Sequence, residues 1–200
     1  CVPSGYAAAY QAANQWKDFL IVEGAGGTEG LLTGKNYRVK NVTTGLYLQV
    51  EGNNTNMKLQ NKAEGVEPTQ VFHLVDAGEG MYNIKAADSD NNYYAHASGW
   101  NFNATTYAAN KTPFTIALVE GETVVYTLHQ GVSTYTGMAG ADVSEAGAAI
   151  YGNKGVDNNG KWAFEPLTAE EHAAYVAALT IAIPEGVTSI GYYAFSGRSS

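Results

Sequence analysis

The residues best suited to chemistry lie in one polar, glycine-containing stretch. It reads His96-Ala97-Ser98-Gly99-Trp100-Asn101-Phe102-Asn103, with Tyr93 just before it. An aromatic face can cover the C–H surface of a sugar while neighbouring polar groups read its hydroxyls. Tyr93, His96, Trp100 and Asn103 are therefore the leading candidate constellation, and carbohydrate is the ligand class their chemistry suits. Trp100 has a competing use, as a plug over the open end of a barrel or a rest for a terminal helix. Two weaker groups lie elsewhere: Gln49, Asn53, Asn56 and Asn61, then Tyr135, Tyr151, Asn153 and Asp157. Asn-rich turns more often serve the backbone than a ligand.

Catalysis is poorly supplied. Asp88 with Asp90, and Glu120 with Glu122, sit in turn-like stretches with nothing nearby to raise a carboxyl pKa. The four histidines have no partner four residues away and no H-E-x-x-H motif. Cys1 is the single cysteine, so it closes no disulfide within the chain, and no histidine lies near it in sequence. Gly24-Ala25-Gly26-Gly27 lacks the flanking strand and helix of a phosphate loop and reads as linker. Asp88-Ser89-Asp90-Asn91-Asn92 has the composition of a calcium loop, but the sixth position is not Gly and the twelfth is not Glu. The expectation is a protein that is not an enzyme and uses no cofactor and no metal.

Composition narrows the partners. The net charge of −8 and the scattered 11 Lys and Arg speak against nucleic acid, whose phosphates need a basic stripe. No apolar run approaches the 18 residues that argue for a membrane-spanning helix, so no membrane insertion is expected. No basic region followed by an apolar one opens the sequence, so no signal peptide is read there. With 23 Gly and 15% charged residues the chain is rich in turns, and its 14 Tyr supply amphipathic surface.

The elements that must position these residues fall into three zones. Residues 5–20 place Tyr6, Ala9, Tyr10, Ala13, Trp16 and Leu20 at helical spacing after a capping Ser4. Residues 168–179 form a second helix, with Thr168 and Glu171 spaced as a capping box. Between them, from Gly34 to Leu167, short strands alternate with Gly, Asn and Asp turns, which implies a barrel or sandwich.

This middle repeats three times with a period of roughly 40–48 residues. Tyr-led strands open the units at Tyr37, Tyr82 and Tyr126. Tyr47, Tyr94 and Tyr135 follow the next turns. Each unit closes on an aromatic strand, at Phe72, Phe114 and Trp162. That recurrence marks Phe72, Phe114 and Trp162 as core, with the three opening tyrosines beside them. A four-stranded unit cannot bury its apolar face alone, so the copies should share one core.

Three four-stranded copies with a closing Gln-x-aromatic step, kept best in Gln70-Val71-Phe72, resemble the β-trefoil of ricin B-type lectins over residues 34–167. The resemblance implies an all-β domain that binds carbohydrate. It also implies that a galactose site carries Asp in the second strand of a repeat. The corresponding residues are read as Gln49, His96 and Gly137, none of them Asp. The ends resemble another family. Val187-Thr188-Ser189-Ile190-Gly191-Tyr192-Tyr193-Ala194-Phe195-Ser196-Gly197 is similar to a BspA-like leucine-rich repeat, with Arg198 where that family commonly has Cys. Residues 2–22 resemble the closing cap of such an array.

The domain division expected is therefore an array cap at 1–24, a linker at 25–33, the trefoil at 34–167, and a helix leading into a repeat at 168–200. Leucine-rich repeats of that kind imply a secreted or cell-surface bacterial protein. Glycans or host surface proteins are the expected partners. The alternatives to a carbohydrate-binding module are an adhesin-type protein-interaction module and a spacer without a ligand.

Overall fold

A computed structural model describes residues 31, 33–87, 92–130, 138–141, 145–154 and 160–179. The expected N-terminal helix, the glycine linker, the calcium-like loop up to Asn91 and the leucine-rich stretch lie outside them. So do Tyr135 and Asp157.

Thirteen strands follow in chain order. The first unit holds β1 (Asn36–Asn41), β2 (Tyr47–Gln49), β3 (Thr55–Asn56), β4 (Lys58–Gln60) and β5 (Phe72–Gly78). The second holds β6 (Met81–Ala87), β7 (Asn92–Ser98), β8 (Asn101–Thr105) and β9 (Pro113–Leu118). The third holds β10 (Tyr126–Gln130), β11 (Met138–Ala141), β12 (Ile150–Lys154) and β13 (Lys161–Pro166). The first and last strands of each unit close a ring, since β1 pairs with β5, β5 with β6, β6 with β9, β9 with β10, β10 with β13 and β13 with β1. Closure leaves this six-stranded barrel without a free edge. The middle strands pair as β2–β4, β7–β8 and β11–β12, three hairpins linked through β3–β8 and β8–β12. This arrangement is a β-trefoil.

The threefold pattern expected from sequence is kept residue by residue in the barrel. Tyr37 stands opposite Phe72, Tyr82 opposite Phe114 and Tyr126 opposite Trp162. Phe72, Phe114 and Trp162 are fully buried. One layer further in, Val39 opposes Phe164, Ile84 opposes Leu74 and Leu128 opposes Ile116, all buried. Tyr37 and Tyr126 both meet the edge of Phe164, at 5.8 and 5.9 Å between ring centres. Strand β10 begins at Tyr126, past the exposed Val124. Between β3 and β4 Met57 is fully buried.

The C-terminal helix α1 (Ala169–Leu179) is capped as its sequence implies. Glu171 N–H donates to Thr168 Oγ1 at 3.1 Å, and Thr168 N–H donates to Glu171 Oε2 at 3.0 Å. The bond from the Thr168 backbone N–H, with the charges of Lys62 and Arg38 behind it, holds the Glu171 carboxyl below its ordinary range. Its other oxygen reaches the buried Arg38 guanidinium at 3.4 Å and Lys62 at 3.3 Å. With Tyr175 buried, these contacts fasten α1 to the barrel wall. Among the described residues no helix is long and apolar enough to cross a membrane.

Candidate functional site

The β7–β8 hairpin carries the leading candidates. Its strands pair Tyr94 with Thr105, His96 with Asn103 and Ser98 with Asn101, while Ala95 opposes Ala104 and Ala97 opposes Phe102. Alternation sends these two sets to opposite faces. Ala95, Phe102 and Ala104 are buried, and the first set takes the other face, where Ser98 and Asn101 are exposed, Tyr94, His96 and Asn103 half-buried and Thr105 buried. This corrects one expectation. Tyr93 belongs with the inward set, is 8% exposed and packs in the core, so it does not share a face with His96. Tyr94 takes the outward place instead.

Trp100 is displayed. Ser98 and Asn101 pair across a two-residue turn whose first position is Gly99, at φ +58°. A positive φ there suits a tight hairpin turn and is inexpensive only for glycine. Trp100 follows with 61% of its surface exposed, which overturns its alternative use as a barrel plug. Its backbone is held firmly, since Gly152 N–H donates to the Trp100 carbonyl at 3.0 Å. Asn101 lies beside it and stands opposite Tyr151 of β12. Asn56 donates from Nδ2 to Asn101 Oδ1 at 3.4 Å and to the Ile150 carbonyl at 3.2 Å. The rim of the Trp100 turn is thus built from residues of three different strands, with Asn101 bonded to Asn56 and paired with Tyr151.

Lower on the same face, His96 Nδ1 lies 3.4 Å from Thr112 Oγ1, which also accepts a bond from the Ala97 N–H at 2.9 Å. Asn103 keeps its Oδ1 buried without a donor, a costly state for a carboxamide. His96 and Asn103 are therefore adjacent, as expected, and Trp100 lies at the end of the hairpin that carries both.

The first repeat holds a different feature. A depression of about 610 Å³ is lined by Gln49, Glu51, Gln60, Asn61, Thr69 and Gln70 among others. Glu51 Oε1 accepts from Gln49 Nε2 at 3.3 Å and from Gln60 Nε2 at 3.2 Å. The buried Gln70 amide donates to Gln49 Oε1 and to the Asn61 carbonyl, both at 2.8 Å, and accepts from the Ala63 N–H at 3.0 Å. Of the four residues grouped here from sequence, Gln49 and Asn61 meet in the depression and the other two do not. Asn53 accepts the Thr106 N–H at 3.0 Å, and Asn56 belongs to the Trp100 rim.

In the third repeat the pairing of His129 with Met138 matches Lys40 with Tyr47 and Lys85 with Tyr94. Gly140, opposite Tyr151, then corresponds to Gln49 and His96, correcting the sequence alignment that placed Gly137 there. The correction changes the residue number and not the chemistry, because Asp is still missing from all three positions. The three-residue difference is already present at Met138, which pairs with His129 where the sequence alignment had placed Tyr135. Sequence reasoning also missed Glu51, Gln60 and Asn101. Strict alternation along each short strand, anchored on the buried Leu48 and Phe102, would have found all three.

Comparison with known proteins agrees with the topology. Residues 12–108, just under half of the chain, match the family model described as a ricin-type β-trefoil lectin domain-like family. Among solved structures, the designed threefold-symmetric protein ThreeFoil is similar, with a TM-score of 0.55, 20% identity, and coverage of 66% of this chain and 99% of that one. The ricin B-like lectin of Macrolepiota procera, solved with lactose, gives 0.54 and 14%, covering 68% of this chain and 97% of its own. An exo-β-1,3-galactanase from Clostridium thermocellum gives 0.56 and 14%, covering 70% of this chain but only 32% of the enzyme. At these identities the structures establish the fold alone. No curated protein sequence matches the chain.

Proposed function

We propose that this domain is a non-catalytic carbohydrate-binding module of the ricin-type trefoil kind, with its principal site at the β7–β8 hairpin tip. The observation that carries the reading is Trp100, 61% exposed on a backbone bonded by Gly152, with the Asn101 carboxamide, itself bonded to Asn56, on the next residue. Such an indole can stack on a sugar ring while the amides bond its hydroxyls. The first-repeat depression supplies carboxylate and amides without an aromatic, so it serves as a weaker second contact. Two weak sites on one domain gain by acting together. The lectin from Macrolepiota procera, bound to lactose in its structure, makes galactosides the natural first probes.

The wider setting belongs to the same reading. The repeat-like stretch at 187–197 supports a place beside leucine-rich arrays in a secreted or cell-surface bacterial protein, with domain limits at 34 and 167. The test is a glycan-array screen of the folded domain beside Trp100→Ala. Because Trp100 is exposed, the variant should lose less than about 0.5 kcal/mol of stability, so lost binding reports on the site. Binding abolished in the variant is the expected result. A blank array with folded protein would reject the carbohydrate reading and leave the adhesin or spacer.

A further inference from the structure

The first two repeats carry the same cross-strand pair with different neighbours. Lys40 stands opposite Tyr47 and Lys85 opposite Tyr94, with the ammonium 5.7 and 5.8 Å from the ring centre. In the first repeat an acid closes the pair. Tyr47 donates to Glu165 Oε2 at 2.9 Å, and Lys40 Nζ lies 3.4 Å from Glu165 Oε1. The registers of β13 on β1 and of β5 on β6 put Val75 where Glu165 would stand in the second repeat. Among the described residues no acid replaces it there. A second cation arrives instead: Lys111, at the end of the short turn Ala108–Asn110, holds its ammonium 5.6 Å from the same Tyr94 ring.

Neither Lys85 nor Lys111 joins an ion pair among the described residues. Burial pushes the Lys85 ammonium below its ordinary range, as desolvation without a counter-ion should. An exposed ring flanks the same turn. Tyr107, 66% exposed, precedes the Ala108–Asn110 turn that Lys111 follows, and its backbone N–H donates at 3.2 Å to Oγ1 of Thr105, the cross-strand partner of Tyr94. Two cations on one tyrosine ring, with no ion pair among the described residues, describe a subsite for a ring that carries negative charge. The overall charge of −8 works against extended polyanions, but at physiological salt it is screened beyond about 8 Å.

We propose that Lys85, Tyr94, Lys111 and Tyr107 form a subsite for an anionic sugar, one bearing a carboxylate or a sulfate. The proposal rests on the carbohydrate reading above and names the ligand class. The test is isothermal titration of the intact chain with lactose, 3′-sialyllactose and 3′-sulfolactose, and with inorganic sulfate alone. The acidic sugars should bind about tenfold more tightly than lactose in dilute salt, an advantage lost at high salt. Lys111→Gln, an exposed change, should remove most of that advantage, and Lys85→Gln the rest. Lys40→Gln, whose cation is already neutralised, should leave it intact. Lactose binding with no preference for the acidic forms, or a preference unchanged in Lys111→Gln, overturns the subsite and spares the carbohydrate reading. Sulfate alone binding as tightly as sulfolactose overturns the sugar assignment. No binding of any sugar rejects both.

Discussion

The first and second repeats share a backbone pattern and spend their polar groups in opposite ways. In the first, the Gln70 amide is buried and fully used, Glu51 gathers two glutamines, and Glu165 neutralises Lys40. In the second, Thr112 stands where Gln70 does, Asn103 has a buried oxygen without a donor, and Lys85 joins no ion pair among the described residues. A repeated fold needs each unit to close the barrel, and it does not need each unit to satisfy its outer face internally. The first repeat does so around its depression, while Nε and Nη1 of its Arg38 stay buried without a partner. The second repeat keeps Trp100 and Lys111 exposed, where a ligand can reach them.

The sharpest way to break this contrast is at the Gln-x-aromatic position. Gln70→Ala removes an amide that makes three bonds and leaves the Ala63 N–H and Asn61 carbonyl without partners. At about 1–3 kcal/mol for each buried group left unsatisfied, the loss should be about 3 kcal/mol by urea unfolding. Thr112→Val removes one hydroxyl that accepts from Ala97 and approaches His96, and should cost only about 1 kcal/mol. Equal costs at the two positions would mean that the second repeat is braced as fully as the first.

A second test uses pH. His73 of β5 lies opposite Lys85, whereas the corresponding residue of β13, opposite Lys40, is Ala163. Burial, aided by the Lys85 charge, lowers the His73 pKa from 6.5 to about 4. The unfolded chain therefore takes up a proton near pH 6.5 that the folded chain refuses until about pH 4. The sign follows: this contribution is whole above pH 6.5 and is lost as pH falls toward 4. Allowing for solvent around a half-buried ring, the loss should be about 2 kcal/mol. His73→Gln should flatten the stability profile over that window in denaturant titrations. A profile as steep as the parent's would place the titrating group elsewhere.

Much of this was legible in the sequence because symmetry repeats its own evidence. Phe72, Phe114 and Trp162 recur at one spacing, and their burial follows from that recurrence. The Thr168–Glu171 capping box was readable because it is local, three residues apart. The site was only half legible. Trp100 and the pairing of His96 with Asn103 came from one short stretch, but Tyr93 was assigned to the wrong face, because in a strand a single residue of offset reverses the side. The Asn56–Asn101 contact and the Lys85–Tyr94–Lys111 cluster join residues from separate strands and turns. Their meeting depends on inter-strand register, which no local spacing encodes.

The smallest expected effect tests whether the two repeats differ by their chemistry or only by their shape. Glu165→Gln would leave the first-repeat Lys40–Tyr47 pair without its acid, in the condition of Lys85 and Tyr94. Lys40 and Glu165 are both substantially exposed, so the stability cost should stay below about 1 kcal/mol. The pKa of Lys40, raised chiefly by Glu165, should fall back toward its ordinary value, observable by NMR titration of its side chain. Tyr47 should also ionise more easily, because its bond to Glu165 is among the causes that raise its pKa, after burial. If a missing acid is what opens the second repeat, Glu165→Gln should give the first repeat a new, weak response to anionic sugars at Lys40. If it does not, the second cation from Lys111 and the exposed Tyr107 are what set the second repeat apart, because no cation besides Lys40 lies over the Tyr47 ring among the described residues.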